Sequence, residues 1–179
     1  DLSSAEVTLR RQAFILMDFL KKYVPGFKSA YLIDTATQVG VRETRRILGE
    51  YILSAEDVIG GRKFEDVIAK GSNPVDMHSE EDPTRVIHRF VKEGGSYDIP
   101  YTCLVPKRIE NLLVVGRCIS ATREGIASAR TEATCMAEGQ AAGTAAALCV
   151  KEGTSPRKLH VKKLQDLLVN QGAILFGTH

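Results

Sequence analysis

The chain has 179 residues, of which 44% are apolar and 26% charged, and it carries a net charge of +2. This length suffices to bury a sizeable core in one domain or two small lobes. The charge is small and no block of lysines and arginines is interleaved with aromatic residues, so we expect no nucleic acid partner. No run reaches the roughly 18 uninterrupted apolar residues of a membrane span, so we expect none.

The four cysteines (Cys103, Cys118, Cys135 and Cys149) lie far apart without a CxxC pair, so neither a zinc site nor any other metal site is predicted. We expect four buried free thiols in a reducing compartment, which favours the cytoplasm while the localisation stays open. A protein acting through Cys118 and Cys135 is an alternative that needs the two sulfurs within disulfide reach. The chain starts at Asp1 without a signal-peptide pattern, so we expect an excised piece or a later part of a larger polypeptide.

The first predicted element is a helix of about 20 residues. Ser3 and Glu6 have the spacing of a capping box, apolar residues follow at helical spacing, and Pro25-Gly26 ends the run.

Residues 31–98 predict strands, a short helix and a loop. Residues 31–53 are rich in β-branched and aromatic residues, which predicts two strands or one long bent strand. Ser54 has the features of an N-cap, and Lys63–Lys70 predicts a short helix. Residues 71–98 are polar and irregular, which predicts a long loop with one strand near Val86–Val91. Such a loop inside a globular chain is more often functional than idle.

The second half of the chain predicts a buried strand followed by helices. Leu112–Val115 is a continuous apolar run ended by Gly116, which suits a central parallel strand covered on both faces. A polar loop follows, and residues 131–150 predict a helix whose interior is mostly Ala and Gly. The last predicted helix has Pro156 at its first position and is closed by Gly172.

This strand–glycine–loop–helix unit is the first candidate site. The N-terminus of the helix offers N–H groups and positive potential to an anion, and Gly116 lets the backbone approach a ligand closely. The hydroxyl donors nearby are Ser120, Thr122, Ser128 and Thr131. The alternative interpretation is a buried strand and a helix that simply pack on a sheet, and the residues alone leave both open.

The helix itself is unusual because Gly139 and Gly143 each cost about 1 kcal/mol relative to Ala in a helix interior. They fall on a stripe beside the alanine stripe. Small residues on two stripes predict close neighbours on two sides, such as a sheet and either a second helix or a flat ligand.

An arginine cluster is the second candidate site. Arg42, Arg45 and Arg46 would either hold a carboxylate substrate or form an ion-paired strand surface with Glu43 and Glu50. On a strand the residues would divide between two faces, with Val41, Glu43, Arg45 and Ile47 on one and Arg42, Thr44, Arg46 and Leu48 on the other.

Histidine supplies the third candidate. His78 follows Asp76 by two residues in the predicted loop and would either relay protons or be solvated. We expect His88 and His160 at the surface.

Several stretches together closely resemble the C-terminal half of FAD-dependent oxidoreductases, a family distantly similar to fumarate reductase and succinate dehydrogenase flavoproteins. They are GVRETRRILGEYILSAEDV, GRKFEDVIAKGS, DMHS, YDIPYTCLVPKRIENLLVVGRCISA and SARTEATCMAEGQAAGTAAALCVKEG. The likeness runs from Asp1 to about Leu175. It implies an α/β fold, α+β in its cap part, that forms the C-terminal half of an FAD/NAD(P)-binding-like fold with a mixed sheet and flanking helices. It also implies cap or substrate-region elements in residues 1–101, a returning strand and helix of the FAD-binding domain in 102–153, and a C-terminal helix in 154–179.

The resemblance also implies roles for particular residues. Leu112–Gly116 would be the last strand of the flavin domain, and Arg117 stands where relatives carry an acidic residue near the ribityl–phosphate region. The turn at residues 129–133 would point a helix N-terminus at the pyrimidine edge of the flavin. The cofactor-binding candidates are Gly116, Arg117, Arg130, Thr131, Glu132 and Gln140. The candidates for substrate binding or proton transfer are Arg42, Arg45, Arg46 and His78.

The chain has no GxGxxG fingerprint after a strand, so it lacks the motif for the pyrophosphate. We therefore expect FAD in the full-length protein, none bound to this chain alone, and an N-terminal dinucleotide-binding half and a small-molecule substrate as partners. The first hypothesis is a C-terminal fragment of a flavin-dependent oxidoreductase, inactive alone. The second is a non-catalytic structural or interaction domain that keeps the half-fold without the cofactor.

Overall fold

The computed structural model describes residues 1–42, 45–79, 81–82 and 85–177. The chain divides into two compact units, Asp1–Val41 and Arg42–His179, and each is described by itself. Two members of the predicted strand faces, Glu43 and Thr44, lie outside the described residues.

The first unit contains one long helix, α1 (Leu2–Tyr23), close to the predicted length. Its N-cap is Asp1, whose Oδ1 accepts a hydrogen bond from Ser3 N at 2.9 Å, so the predicted Ser3–Glu6 capping box is wrong. The Glu6 carboxylate instead accepts from the backbone N–H of Val39. No residue of α1 is buried.

The first unit has no strand in residues 31–41, so the strand prediction is wrong there. The segment is fixed to α1 by side chains rather than by a ladder. Arg10 donates to the carbonyl oxygens of Ala36 at 3.0 Å and Thr37 at 3.2 Å. β-branched residues favour a strand only where a partner strand accepts their backbone groups.

The second unit is α+β, with two small antiparallel sheets and four α-helices among its described residues. Its elements are α2 (Ala55–Ile59), β1 (Val67–Gly71), β2 (Val75–His78), β3 (Val86–Arg89), β4 (Tyr97–Pro100), α3 (Arg123–Ala129), α4 (Glu132–Glu152) and α5 (Val161–Asn170). β1 pairs with β4, and β2 pairs with β3 as a hairpin. The expected parallel arrangement therefore does not appear as a sheet in the described part of the chain.

The predicted cap of α2 is confirmed. Ser54 Oγ accepts from Asp57 N at 3.3 Å, and Asp57 Oδ2 accepts from Ser54 N at 2.9 Å, which completes a capping box. Upstream, only isolated bridges at Gly49 and Leu53 replace the strands predicted for the segment.

The helix predicted over Lys63–Lys70 is wrong, because this segment enters strand β1. Val67, Ile68 and Ala69 are all buried, a pattern that a strand covered on both faces allows. The Gln165 side chain of α5 donates to the carbonyl of Val67 at 3.0 Å. Tertiary burial thus outweighs a weak helical pattern.

The buried parallel strand predicted over Leu112–Val115 is wrong. These residues form no strand, and Leu112 is 40% exposed. One backbone bond, from Val114 N to Leu104 O at 2.9 Å, joins the run to another segment. Because no described strand pairs along it, the apolar run stays extended and half covered.

The predicted polar loop before α4 contains the helix α3. Thr122 caps it, and its Oγ1 accepts from Gly125 N at 3.1 Å. A Cβ on Gly125 would lie 2.3 Å from the carbonyl oxygen of Leu53, so glycine allows this helix to lie against the preceding chain.

The last predicted helix is interrupted. Pro156–Lys158 forms a 3₁₀ turn, and α5 begins only at Val161. The C-cap is Gln171, and Gly172 follows with φ +88°, which only glycine adopts at low cost.

Helix α4 forms as predicted and packs on β1 and α5. Its inner face carries the fully buried residues Glu138, Ala141 and Ala145. Gly139 and Gly143 have no neighbour within 4 Å of an added Cβ in the described structure. The prediction of close neighbours on two sides therefore holds for one side only.

Candidate functional site

A cleft of about 480 Å³ lies in the second unit, beside the β2–β3 hairpin and the N-terminus of α4. Its lining combines three arginines, one histidine and two carboxylates with polar and small residues. The lining residues are Arg42, Asn73, Pro74, Asp76, His88, Arg117, Ala127, Arg130, Thr131 and Glu132.

Five of the residues proposed from sequence meet in this cleft, and they come from distant points of the chain. They are Arg42, Arg117, Arg130, Thr131 and Glu132. The three arginines outnumber the two carboxylates, Asp76 and Glu132, so the wall has an excess of positive charge, which favours a ligand with negative charge.

Hydrogen bonds hold the wall of the cleft in place. Arg130 donates from Nη2 to the carbonyl oxygen of Asp76 at 3.1 Å, which ties the end of α3 to β2. Ser128 donates to the carbonyl of Asn73 at 2.6 Å, and its hydroxyl also lies 2.7 Å from that of Tyr97. Two side chains from the end of α3 thus bond to backbone carbonyls in and just before the hairpin.

The N-terminus of α4 opens towards the same cleft. Thr131 is the N-cap, but its hydroxyl lies 2.9 Å from Thr134 Oγ1 and makes no cap bond to the first turn. The backbone N–H groups of that turn therefore keep their capacity to bind an anion, and the dipole of a 21-residue helix adds positive potential.

The histidine of the cleft is His88 rather than His78. His88 on β3 stands opposite Asp76 on β2, and its Nε2 lies 3.2 Å from Asp76 Oδ1. His78 is exposed at the end of β2 and does not line the cleft. The signal that identifies His88 is the pairing of residues 75–78 with 86–89, which the sequence did not reveal because the first of these segments appeared to be loop.

Three other candidates lie elsewhere. Arg45 and Arg46 are exposed and do not line the cleft. Gln140 lines a separate depression of about 380 Å³ and donates to Gln171 Oε1 at 3.1 Å. The structure does not bring these three to the cationic wall, and their roles stay predictions.

A second depression of about 430 Å³ adjoins the cleft and shares Arg117, Arg130 and Glu132 with it. Gly116 lines it with φ +70°, a conformation strained for other residues. A Cβ at Gly116 would meet Cys135 only at 3.9 Å, so glycine is required here by backbone conformation and not by crowding.

The carboxyl of Glu138 lies behind this depression and is fully buried. Its Oε2 accepts a hydrogen bond from Gly116 N at 2.7 Å, and its Oε1 has no partner among the described residues. Burial raises the pKa of Glu138 to about 8, and the bond from Gly116 opposes this rise. The sequence did carry a signal for this residue, because Glu138 falls on the same helical stripe as Ala141 and Ala145.

The cysteines differ from the expectation of four buried thiols. All four are free; Cys103 and Cys149 are buried, Cys135 is partly buried and Cys118 is exposed. Burial raises the pKa of Cys135, which disfavours its reactive thiolate form. No group of three or more potential ligands among the described residues could hold a metal ion. None of the described helices is long and apolar enough to cross a membrane.

Fold and cleft together describe an α+β protein in which three arginines and the N-terminus of α4 meet in one cleft. The sequence model of the family described as FAD dependent oxidoreductase matches residues 1–168, and the chain belongs to that family. No curated protein matches the chain, and no solved structure does.

The cleft fits an anionic part of FAD. Guanidinium groups and helix N–H groups are the donors that bind phosphate or a negatively charged flavin edge. The residues that would hold it are Arg117, Arg130 and Thr131. Both arginines line the cleft and the adjoining depression, and Thr131 lies at the start of α4.

Proposed function

We propose that this chain supplies the flavin-side wall and part of the substrate region of an FAD-dependent oxidoreductase. The observation that carries the proposal is the convergence of Arg42, Arg117 and Arg130 with the N-terminus of α4 in one cleft of a chain from this family. FAD, when bound, supplies hydride or electron transfer.

The residues of the cleft would have different roles according to their positions. Arg117 and Arg130, together with the α4 N-terminus, stabilise negative charge on the cofactor side. Arg42 binds an anionic group of the substrate, such as a carboxylate. His88 holds a proton at its ring, oriented by the bond between Nε2 and Asp76 Oδ1, and can give or take it at the substrate.

A second polypeptide segment would complete the site. The family match and the absence of a glycine fingerprint in these 179 residues imply that other residues hold the pyrophosphate. The open glycine face of α4 and the half-exposed run Leu112–Val115 are surfaces against which a dinucleotide-binding half would pack. We therefore expect this chain alone to bind no FAD.

The test is a flavin titration followed by absorbance and fluorescence. One sample is this chain alone, and the other joins an N-terminal dinucleotide-binding half of a family member to it. We expect near-stoichiometric FAD in the joined polypeptide and none in the chain alone. A joined polypeptide that folds, stays colourless and shows no affinity for FAD or FMN would instead support the non-catalytic structural or interaction domain.

A further inference from the structure

Glu138 is the buried titratable group for which the proposed function gives no task. It lies at 0% exposure on the inner face of α4, where its neighbours along the helix stripe are alanines. A buried carboxyl is costly unless its polar atoms are bonded, and only one of its two oxygens has a partner in the described structure. A residue this costly is expected to have a specific role.

Its single bond reaches a point where the backbone needs support. Gly116 begins a 3₁₀ turn with φ +70°, and glycine is the residue that loses most conformational freedom when fixed. Glu138 Oε2 accepts the N–H of Gly116 across 22 positions of sequence at 2.7 Å. The bond thereby fixes the direction in which the chain leaves Gly116.

Arg117 follows Gly116 in this 3₁₀ turn and lines both the cleft and the adjoining depression. The direction of the turn sets the position of the Arg117 backbone. Loss of the Glu138 bond would free Gly116 to adopt other conformations, and Arg117 would move with it.

Burial holds the pKa of the Glu138 carboxyl above its ordinary value. The ionisable groups that interact with it from the packed elements are Tyr97 on β4, Cys103 in the turn after β4 and Cys135 on α4. All three groups are themselves neutral acids whose pKa is raised mainly by burial.

We propose that Glu138 is a positioning residue: its carboxyl holds the backbone of Gly116 so that Arg117 lines the cleft. This inference rests on the proposed function only for the use of the cleft by an anion.

The test measures the backbone amide of Gly116 and the Nε–H of Arg117 by NMR between pH 6 and pH 10, without flavin. In the unsubstituted chain the Gly116 amide is expected to titrate with an apparent pKa of about 8. Glu138→Gln keeps an acceptor for Gly116, so the pH dependence should vanish while the Arg117 signal stays in place. Glu138→Leu removes the acceptor, so the Arg117 signal should move.

A second measurement uses sulfate, whose charge is constant over this pH range, as the anion. Its affinity is expected to fall by about threefold or more in Glu138→Leu, in which Arg117 is no longer held, the size of one partly screened charge interaction, and to stay level in Glu138→Gln. A Gly116 amide that does not titrate, or that titrates equally in Glu138→Gln, would overturn the inference, as would an unchanged Arg117 signal in folded Glu138→Leu. Neither measurement uses flavin, so a failed flavin titration refutes the proposed function separately.

Discussion

The two faces of α4 have the same small side chains and different surroundings. On the inner face Ala141 and Ala145 are fully buried against β1 and α5. On the outer face Gly139 and Gly143 meet nothing within 4 Å in the described structure. On the inner face the small residues are therefore explained by neighbours that the structure shows, β1 and α5. On the other face no described neighbour explains them, and this is the surface that we propose for the dinucleotide-binding half.

The largest expected effect is on the pH dependence of stability, and it comes from the buried carboxyl of Glu138 on the inner face of α4. The pKa of Glu138 is about 8 in the folded chain against an ordinary value of 4.5, so the folded state holds the proton more tightly. The contribution of Glu138 to the free energy of unfolding is complete below pH 4.5 and is lost as pH rises through about 8. The loss is on the order of a few kcal/mol.

Urea unfolding at a series of pH values measures this loss. Glu138→Gln should flatten the decline, because the amide does not titrate. Equal declines in the two proteins would show that Glu138 is not the group responsible.

Overpacking the inner face comes next. Ala145→Leu should lower the free energy of unfolding by about 1–3 kcal/mol, because the added atoms have no space between α4 and its neighbours. Ala146→Leu is the matched control, since Ala146 is the next residue and is exposed. Chemical denaturation compares them, and equal stabilities would contradict the burial of one face alone.

A charge substitution tests the cleft at the N-terminal end of α4. Arg117→Gln should weaken sulfate binding by about tenfold, which corresponds to about 1.4 kcal/mol for a charge-assisted contact. Arg108→Gln removes one charge from an exposed position outside the cleft and should change the affinity little. Calorimetric titration with sulfate compares the two variants. An equal loss of affinity in both would show that the effect comes from net charge and not from the cleft.

The outer face gives the smallest effect. Gly139→Ala and Gly143→Ala should each stabilise the isolated chain by about 0.5–1 kcal/mol, because an exposed helical glycine has only an entropic cost. In a polypeptide joined to a dinucleotide-binding half, the gain should shrink or reverse, since an added methyl group would meet the packed neighbour. Thermal unfolding of both forms measures the difference, and an equal gain in both would show that the face stays open.

The sequence predicted those features that depend on local pattern. α1, α4 and the Ser54 cap are determined by helical spacing and by side chains within three residues of the bonds they make. Among the cationic residues of the cleft, Arg117 and Arg130 came from the resemblance to the family, and Arg42 came from the arginine cluster in the sequence.

The features that the sequence missed depend on distant contacts. β1 is a strand because β4 and Gln165 of α5 satisfy its backbone, and neither lies near it in the chain. His88 reaches the cleft only through the pairing of β2 with β3. Leu112–Val115 has the composition of a buried strand, but a run of apolar residues becomes a strand only where neighbouring strands pair with it.

One measurement tests most directly whether the outer face of α4 belongs to a flavin site. It is the FAD affinity of the joined polypeptide carrying both Gly139→Leu and Gly143→Leu, with Asn170→Leu, at an exposed position of α5, as the control. The account predicts at least a tenfold loss of affinity for the double variant, about 1.4 kcal/mol, and little change for the control. Equal FAD affinity in all three proteins, or tight FAD binding by the 179-residue chain alone, would contradict it.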